Sequence, residues 1–85
     1  MTVAYLAGSG TPRVAYRVGR PVGPAVRRNR VKRRLRAIVA ERDRRQPLSP
    51  GDYLISAGPE TAILSFAELT DHVEAGLDRL GAGSS

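Results

Sequence analysis

The segment from Pro24 to Arg45 contains no glycine and no second proline, and this uninterrupted stretch constrains the chain more than any other feature. Pro24 suits the first position of a helix, where a missing backbone N–H costs nothing. Pro47-Leu48-Ser49-Pro50-Gly51 halts the run at its far end. At about 100° per residue, Val31, Leu35, Ile38 and Val39 share one stripe, and Asn29, Arg33 and Arg36 project roughly opposite. Arg30 and Lys32 fall on the two flanks. The segment is therefore an amphipathic helix whose basic face is turned away from the core.

The remaining elements follow from shorter patterns. Thr2–Ala7 is β-prone, and Gly8-Ser9-Gly10-Thr11-Pro12 reads as a turn. In Arg13–Arg20, Val14, Tyr16 and Val18 alternate with Arg13, Ala15 and Arg17, which predicts a half-buried strand with a basic open face. Together the two runs predict an antiparallel hairpin. Tyr16 shares parity with Val14 and Val18 and reads as core. Tyr5 shares parity with Val3, which leaves its side undecided. Asp52–Ala57 is a third strand. Ser65 and Glu68 have capping-box spacing, and Phe66, Leu69, Val73, Leu77 and Leu80 form an apolar stripe that predicts a last helix. Gly76 weakens that helix without breaking its pattern. The expected architecture is α+β, a small sheet packed with the basic helix and a C-terminal helix in the order β-β-α-β-α. Residues 1–80 form one domain and 81–85 a disordered tail.

Charge is distributed unevenly. Residues 13–45 hold thirteen of the fourteen Lys and Arg against only Glu41 and Asp43, a local net of +11. Residues 46–85 hold six acids and Arg79, a local net of −5. Such a split points to a polyanionic partner for one part of the domain. Arginine dominates, with Lys32 the exception, and the guanidinium fork suits phosphates and stacks on bases. Across most of the helix the arginines lack acidic neighbours at i±4. Asn29 lies among them and can hydrogen-bond a base edge or a 2′-hydroxyl. A nucleic acid is the partner that these features favour.

Other chemistry is poorly served. There is no cysteine, hence no disulfide or thiolate metal site. The single histidine, His72, has no matching constellation and reads as a solvated residue. No Gly-rich phosphate loop, paired-His motif or Ser/His/Asp order is present. The acids of the last helix read as a solvated face. No apolar run approaches the roughly 18–20 residues that span a bilayer. A basic helix lying on an anionic membrane would need bulky apolar residues exposed beside its cations, whereas Val31, Leu35 and Ile38 have strands to cover.

The stretch Val22-Gly23-Pro24-Ala25-Val26-Arg27-Arg28-Asn29-Arg30-Val31-Lys32-Arg33-Arg34-Leu35-Arg36 closely resembles the signature of the bacterial ribonuclease P protein family, roughly V-G-x-A-V-x-R-N-R-x-K-R-x-x-R. Arg28, Asn29, Arg30, Lys32, Arg33 and Arg36 match its polar positions. Arg13-Val14-Ala15-Tyr16, Asp52-Tyr53-Leu54-Ile55 and Leu64-Ser65-Phe66-Ala67-Glu68-Leu69 agree with the flanking pieces. In two respects the chain departs from the family pattern. The family's first helix and strand are absent, and Gly19 and Pro21 stand where the family often has Ser and Lys, with only Arg20 between them retaining a cation.

The resemblance implies an α-β sandwich in which the motif helix sits in a left-handed βαβ crossover. It implies a subunit of an endonuclease whose phosphodiester hydrolysis belongs to a catalytic RNA and to Mg2+ held mainly by that RNA. Arg28, Asn29, Arg30, Lys32, Arg33 and Arg36 would be RNA contacts. A cleft between the helix and the open sheet face would take the 5′ leader of precursor tRNA, with Tyr5, Arg17 and Arg20 on the cleft side. The implied partners are ribonuclease P RNA, in an equimolar complex, and precursor tRNA, in the cytoplasm. The alternative is a structural RNA-binding protein, of ribosomal or assembly-factor type, with no role in tRNA processing.

Overall fold

A computed structural model describes residues 1–80; the expected tail at 81–85 lies outside the described residues. Its elements follow the expected order: β1 (Thr2–Ala7), β2 (Arg13–Val18), α1 (Ala25–Arg45), β3 (Gly51–Ala57) and α2 (Phe66–Arg79). Short 3-10 turns at Arg20–Val22 and Pro59–Ala62 precede the two helices. Pro24 sits one place earlier than expected, as the residue that caps α1 rather than the first within it.

The sheet departs from the expected hairpin. Its order is β1-β3-β2, so the first two strands do not pair and β3 lies between them. β3 runs antiparallel to β1 and parallel to β2, which makes α1 the crossover between two parallel neighbours. The physical reason lies in β3 itself. Tyr53 and Ile55 are buried on one face and Leu54 is half-buried on the other, so the strand gains most from neighbours on both sides. The linker Gly8–Pro12 is long enough to step across one intervening strand, a gap of roughly 10 Å.

Register assigns the faces. Tyr5 and Val14 flank Tyr53, and Val3 and Tyr16 flank Ile55. These side chains join Val31, Leu35 and Ile38 of α1 and Leu69, Val73 and Leu77 of α2 in one core. The opposite face carries Ala4, Leu54 and Ala15 in one row, Leu6, Asp52 and Arg13 in the next, and Thr2, Ser56 and Arg17 in a third. Both helices therefore pack on the same side of the sheet. Where β3 begins, Gly51 adopts φ 140°, and a Cβ there would lie 2.5 Å from the Leu6 carbonyl oxygen. Only glycine allows β1 to come that close.

α2 opens with the expected capping box. Ser65 N–H donates to Glu68 Oε1 at 2.9 Å, and Glu68 N–H donates to Ser65 Oγ at 3.1 Å. The apolar stripe is buried only in its middle, at Leu69, Val73 and Leu77; Phe66 and Leu80 at its ends are exposed. Gly76 is not a mere weak point in the helix. It is buried against β1, and a Cβ there would meet Val3 Cγ2 at 2.6 Å.

A buried arginine joins the helices. Arg42, 1% exposed, donates from Nη1 to Glu74 Oε1 at 2.8 Å and from Nη2 to Asp78 Oδ1 at 3.0 Å. Arg45 donates to the other Glu74 oxygen at 2.7 Å. Glu74 and Asp78 therefore do not belong to a purely solvated acidic face, as the sequence suggested; they hold α1 against α2.

Candidate RNA interface

The interface is built on α1. Its buried stripe of Val31, Leu35, Ile38, Val39 and Arg42 fixes the rotation of the helix. That rotation leaves Asn29, Arg30, Arg33 and Arg36 exposed and Arg28, Lys32 and Arg34 half-buried. All six motif residues thus lie on one helix, outside its core stripe. Among the described residues, none of Arg27, Arg28, Arg30, Lys32, Arg33, Arg34 and Arg36 makes an ion pair. The acids that could have neutralised them are committed elsewhere. Glu41 pairs with Arg44 and Arg45, Glu74 with Arg42 and Arg45, and Asp52 with Arg13.

The helix start adds to this imbalance. Its first turn has no acidic residue and no side-chain cap, and it carries Arg27 and Arg28. The positive end of the helix dipole repels such cations and favours an anion. The electrostatics of the free domain is therefore unfavourable in a way that phosphate would relieve. Arg28 also keeps a buried Nε–H with no hydrogen-bond partner among the described residues.

Two grooves run along the exposed side. Val26, Asn29, Lys32, Arg33 and Arg36 line the first. Arg30, Arg33, Arg34, Ala37 and Phe66 line the second. Arg33 stands on the ridge between them. At the edge of the first groove, the Arg36 guanidinium lies 5.8 Å from the centre of the Tyr16 ring. Burial pushes the Tyr16 hydroxyl pKa up, and the positive charge of Arg36 partly opposes that.

The residues expected in a leader cleft are not brought together. Tyr5 lies on the helix side of the sheet, its ring 4.7 Å from that of Tyr53 and its hydroxyl donating to the Pro50 carbonyl at 2.7 Å. Arg17 lies on the opposite face, beside Ser56. Arg20 is exposed in the turn before α1. Nor do α1 and the open face form one cleft, because the sheet separates them. Instead, a crevice between α1 and the edge strand β2 is lined by Val14, Tyr16, Arg36, Val39 and Leu48. A separate shallow hollow lies over Leu54 on the open face, bordered by Ala4, Leu6 and Ala15. Arg17 lines a third hollow with Gly19, Pro21 and Ser56.

Sequence reasoning missed three participants. Arg42 was not singled out, although it follows Leu35 by seven and Ile38 by four residues, which puts it on the core stripe. Val26 and Phe66 went unnoticed as exposed apolar walls of the two grooves. His72 is exposed, in keeping with a solvated residue.

Comparison with known proteins agrees with this picture. The ribonuclease P family model matches residues 1–81. A ribonuclease P protein component from Acidothermus cellulolyticus is 44% identical over 82 residues, covering 92% of this chain and 68% of the relative. The Micrococcus luteus component is 62% identical over 60 residues, 68% of this chain and 46% of the relative. One solved structure, a Staphylococcus aureus RNase P protein mutant with defective mRNA degradation activity, superposes with a TM-score of 0.84. It covers 94% of this chain and 68% of its own, at 18% identity, so it speaks for the fold. The chain thus spans roughly half to two thirds of the length of the relatives it matches. Matched from its first strand to the end of its last helix, with an unpaired Arg-Asn-Arg helix on the expected fold, the chain belongs to the ribonuclease P protein family.

Proposed function

We propose that this chain acts as the protein subunit of ribonuclease P, binding the catalytic RNA through α1 and assisting the endonucleolytic 5′ maturation of precursor tRNA. The observation that carries this reading is the row of unpaired cations Arg28, Arg30, Lys32, Arg33 and Arg36, with Asn29 among them, on a helix whose other face is locked into the core. Phosphates of the RNA replace the counterions of the arginines. Asn29 supplies a hydrogen bond that depends on groove chemistry rather than charge. Phosphodiester hydrolysis is the work of the RNA and its Mg2+. The protein raises substrate affinity and lowers the Mg2+ needed, in an equimolar complex in the cytoplasm. The 5′ leader of the precursor lies against the open face, where Arg17 is a cation without an ion pair among the described residues and Arg20 stands nearby in sequence. Tyr5 contributes there indirectly, as support for the strand.

The test is cleavage of precursor tRNA by ribonuclease P RNA at low Mg2+, with and without this chain. Stimulation that Arg33→Ala weakens at limiting protein concentration supports the proposal. Tight binding to the RNA with no stimulation at any Mg2+ concentration would favour a structural RNA-binding protein instead.

A further inference from the structure

The second groove is not explained by the motif. Its far wall is Phe66, the first residue of α2, which is 50% exposed. Three positions earlier, in the connection before α2, Ile63 is 85% exposed. Helix capping does not use Phe66: the box is made by Ser65 and Glu68, and the flanking apolar contacts are supplied by Leu64 and Leu69, both packed on the core. Nor does the core use it, since the buried stripe of α2 begins at Leu69. Folding therefore leaves half of an aromatic ring in water beside three arginines, Arg30, Arg33 and Arg34, that have no acidic partner among the described residues.

A groove of this composition has a defined ligand chemistry. Three cations favour a polyanion and oppose an acidic-poor protein surface. An exposed aromatic face beside them suits a planar ring, and every nucleobase has one. Arg30, Arg34 and Ala37 recur at four and three residues along one flank of α1, so phosphates bound there are spaced along the helix while a base reaches across to α2. The open groove, about 250 Å³, adjoins the first across Arg33, which lines both. We propose that Phe66 is a base-stacking platform, and that the groove between it and Arg30–Arg34 holds an unpaired nucleotide of RNA. This extends the interface from one helix face to two elements, and it rests on the RNA-binding reading above.

The test uses the full chain, a short oligoadenylate, and an abasic oligonucleotide with the same number of phosphates. Phe66→Ala should weaken oligoadenylate binding on the order of tenfold, with the salt slope and the affinity for the abasic strand unchanged. The chain has no tryptophan, so Phe66→Trp introduces a single reporter at the platform. Its emission should be quenched by oligoadenylate and not by the abasic strand. This variant keeps an aromatic ring, so it answers the question even where Phe66→Ala unfolds. If Phe66→Ala binds oligoadenylate as the parent does, or if the Phe66→Trp emission ignores the base, the platform is overturned. In that case loss of both ligands by Arg33→Ala would leave the RNA reading standing. If the parent chain binds neither strand, both readings fall.

Discussion

Gly76 of α2 lies so close to Val3 of β1 that a methyl group at Gly76 would approach Val3 Cγ2 to 2.6 Å. Replacing a helical glycine by alanine ordinarily stabilises by about 1 kcal/mol. Here the sign reverses. Gly76→Ala should cost a net of about 1–2 kcal/mol, because overpacking of a tight contact outweighs the helix propensity. Urea unfolding measures it. The Val3→Ala, Gly76→Ala double variant should lose less than the sum of the two singles, since the smaller side chain relieves the clash.

Arg33 and Leu35 are two residues apart on α1 and have opposite roles. Arg33→Ala should lower RNA affinity several-fold and leave the melting temperature near that of the parent, because Arg33 is exposed and without an ion pair. Leu35→Ala should cost on the order of 2–4 kcal/mol of stability, because Leu35 is fully buried and its truncation opens a cavity. Circular dichroism melts and a binding titration on the same samples separate the two. Arg33→Ala melting the domain while Leu35→Ala binds RNA normally would mean that the helix faces the other way.

Salt should weaken RNA binding steeply. Neutralisation of about six phosphates by the cations of α1 between Arg27 and Arg36 gives a slope of roughly −4 to −5 in log K against log salt. Asn29→Ala should lower affinity by a factor that salt does not change, since an amide hydrogen bond releases no counterion. Fluorescence anisotropy at several KCl concentrations tests both statements, and a flat salt dependence would remove the electrostatic basis of the interface.

Arg42→Ala should destabilise by about 3 kcal/mol. That is the low end for breaking a buried ion pair, because Glu74 and Asp78 retain contact with water once the guanidinium is gone. RNA affinity per folded molecule should not change, which distinguishes this arginine from its neighbours on the outer face. Arg42→Lys should not rescue the loss, since one ammonium lacks the fork that reaches both carboxylates.

Glu68 sets an acid-sensitive contribution at the start of α2. The Ser65 backbone N–H, followed by the Ser65 side chain, holds its carboxyl below the usual carboxylate range. A carboxylate whose pKa is lowered on folding contributes stability above its ordinary pKa and loses it as pH falls through the lowered one. Urea midpoints measured down an acid series should therefore decline in that window. In Glu68→Gln, which retains the hydrogen-bonding reach but does not titrate, this part of the decline should be missing.

What was legible in the sequence was what short-range rules decide. The capping box at Ser65, the break at Pro47–Gly51 and the rotation of α1 depend on residues a few places apart, and each stands where it was expected. Strand order was not legible, because the alternation in β1 and β2 says which side chains point inward and nothing about which strand lies alongside. Tyr5 shows the same limit. Parity alone left its side open, and only its register opposite Tyr53 puts it beneath the helices. Arg42 was readable by position and left out by type, since a charged residue on an apolar stripe is reasonable only once Glu74 and Asp78 are known to face it. Phe66 followed the apolar spacing of α2, yet the core begins one turn later at Leu69, so the periodic pattern outran the layer it was meant to cover.

The central place of β3 has a consequence for biosynthesis. β1 and β2 meet only through it, so among the described residues neither strand has a hydrogen-bonded neighbour until residues 51–57 have left the ribosome. Every ladder contact of β1 is then made across most of the chain, the arrangement that slows folding most. Between the addition of Arg45 and that of Ala57 the nascent polypeptide therefore carries its whole arginine segment without a sheet to pack against. A ribosome that stalls before Gly51 holds a polycation whose sheet cannot yet form.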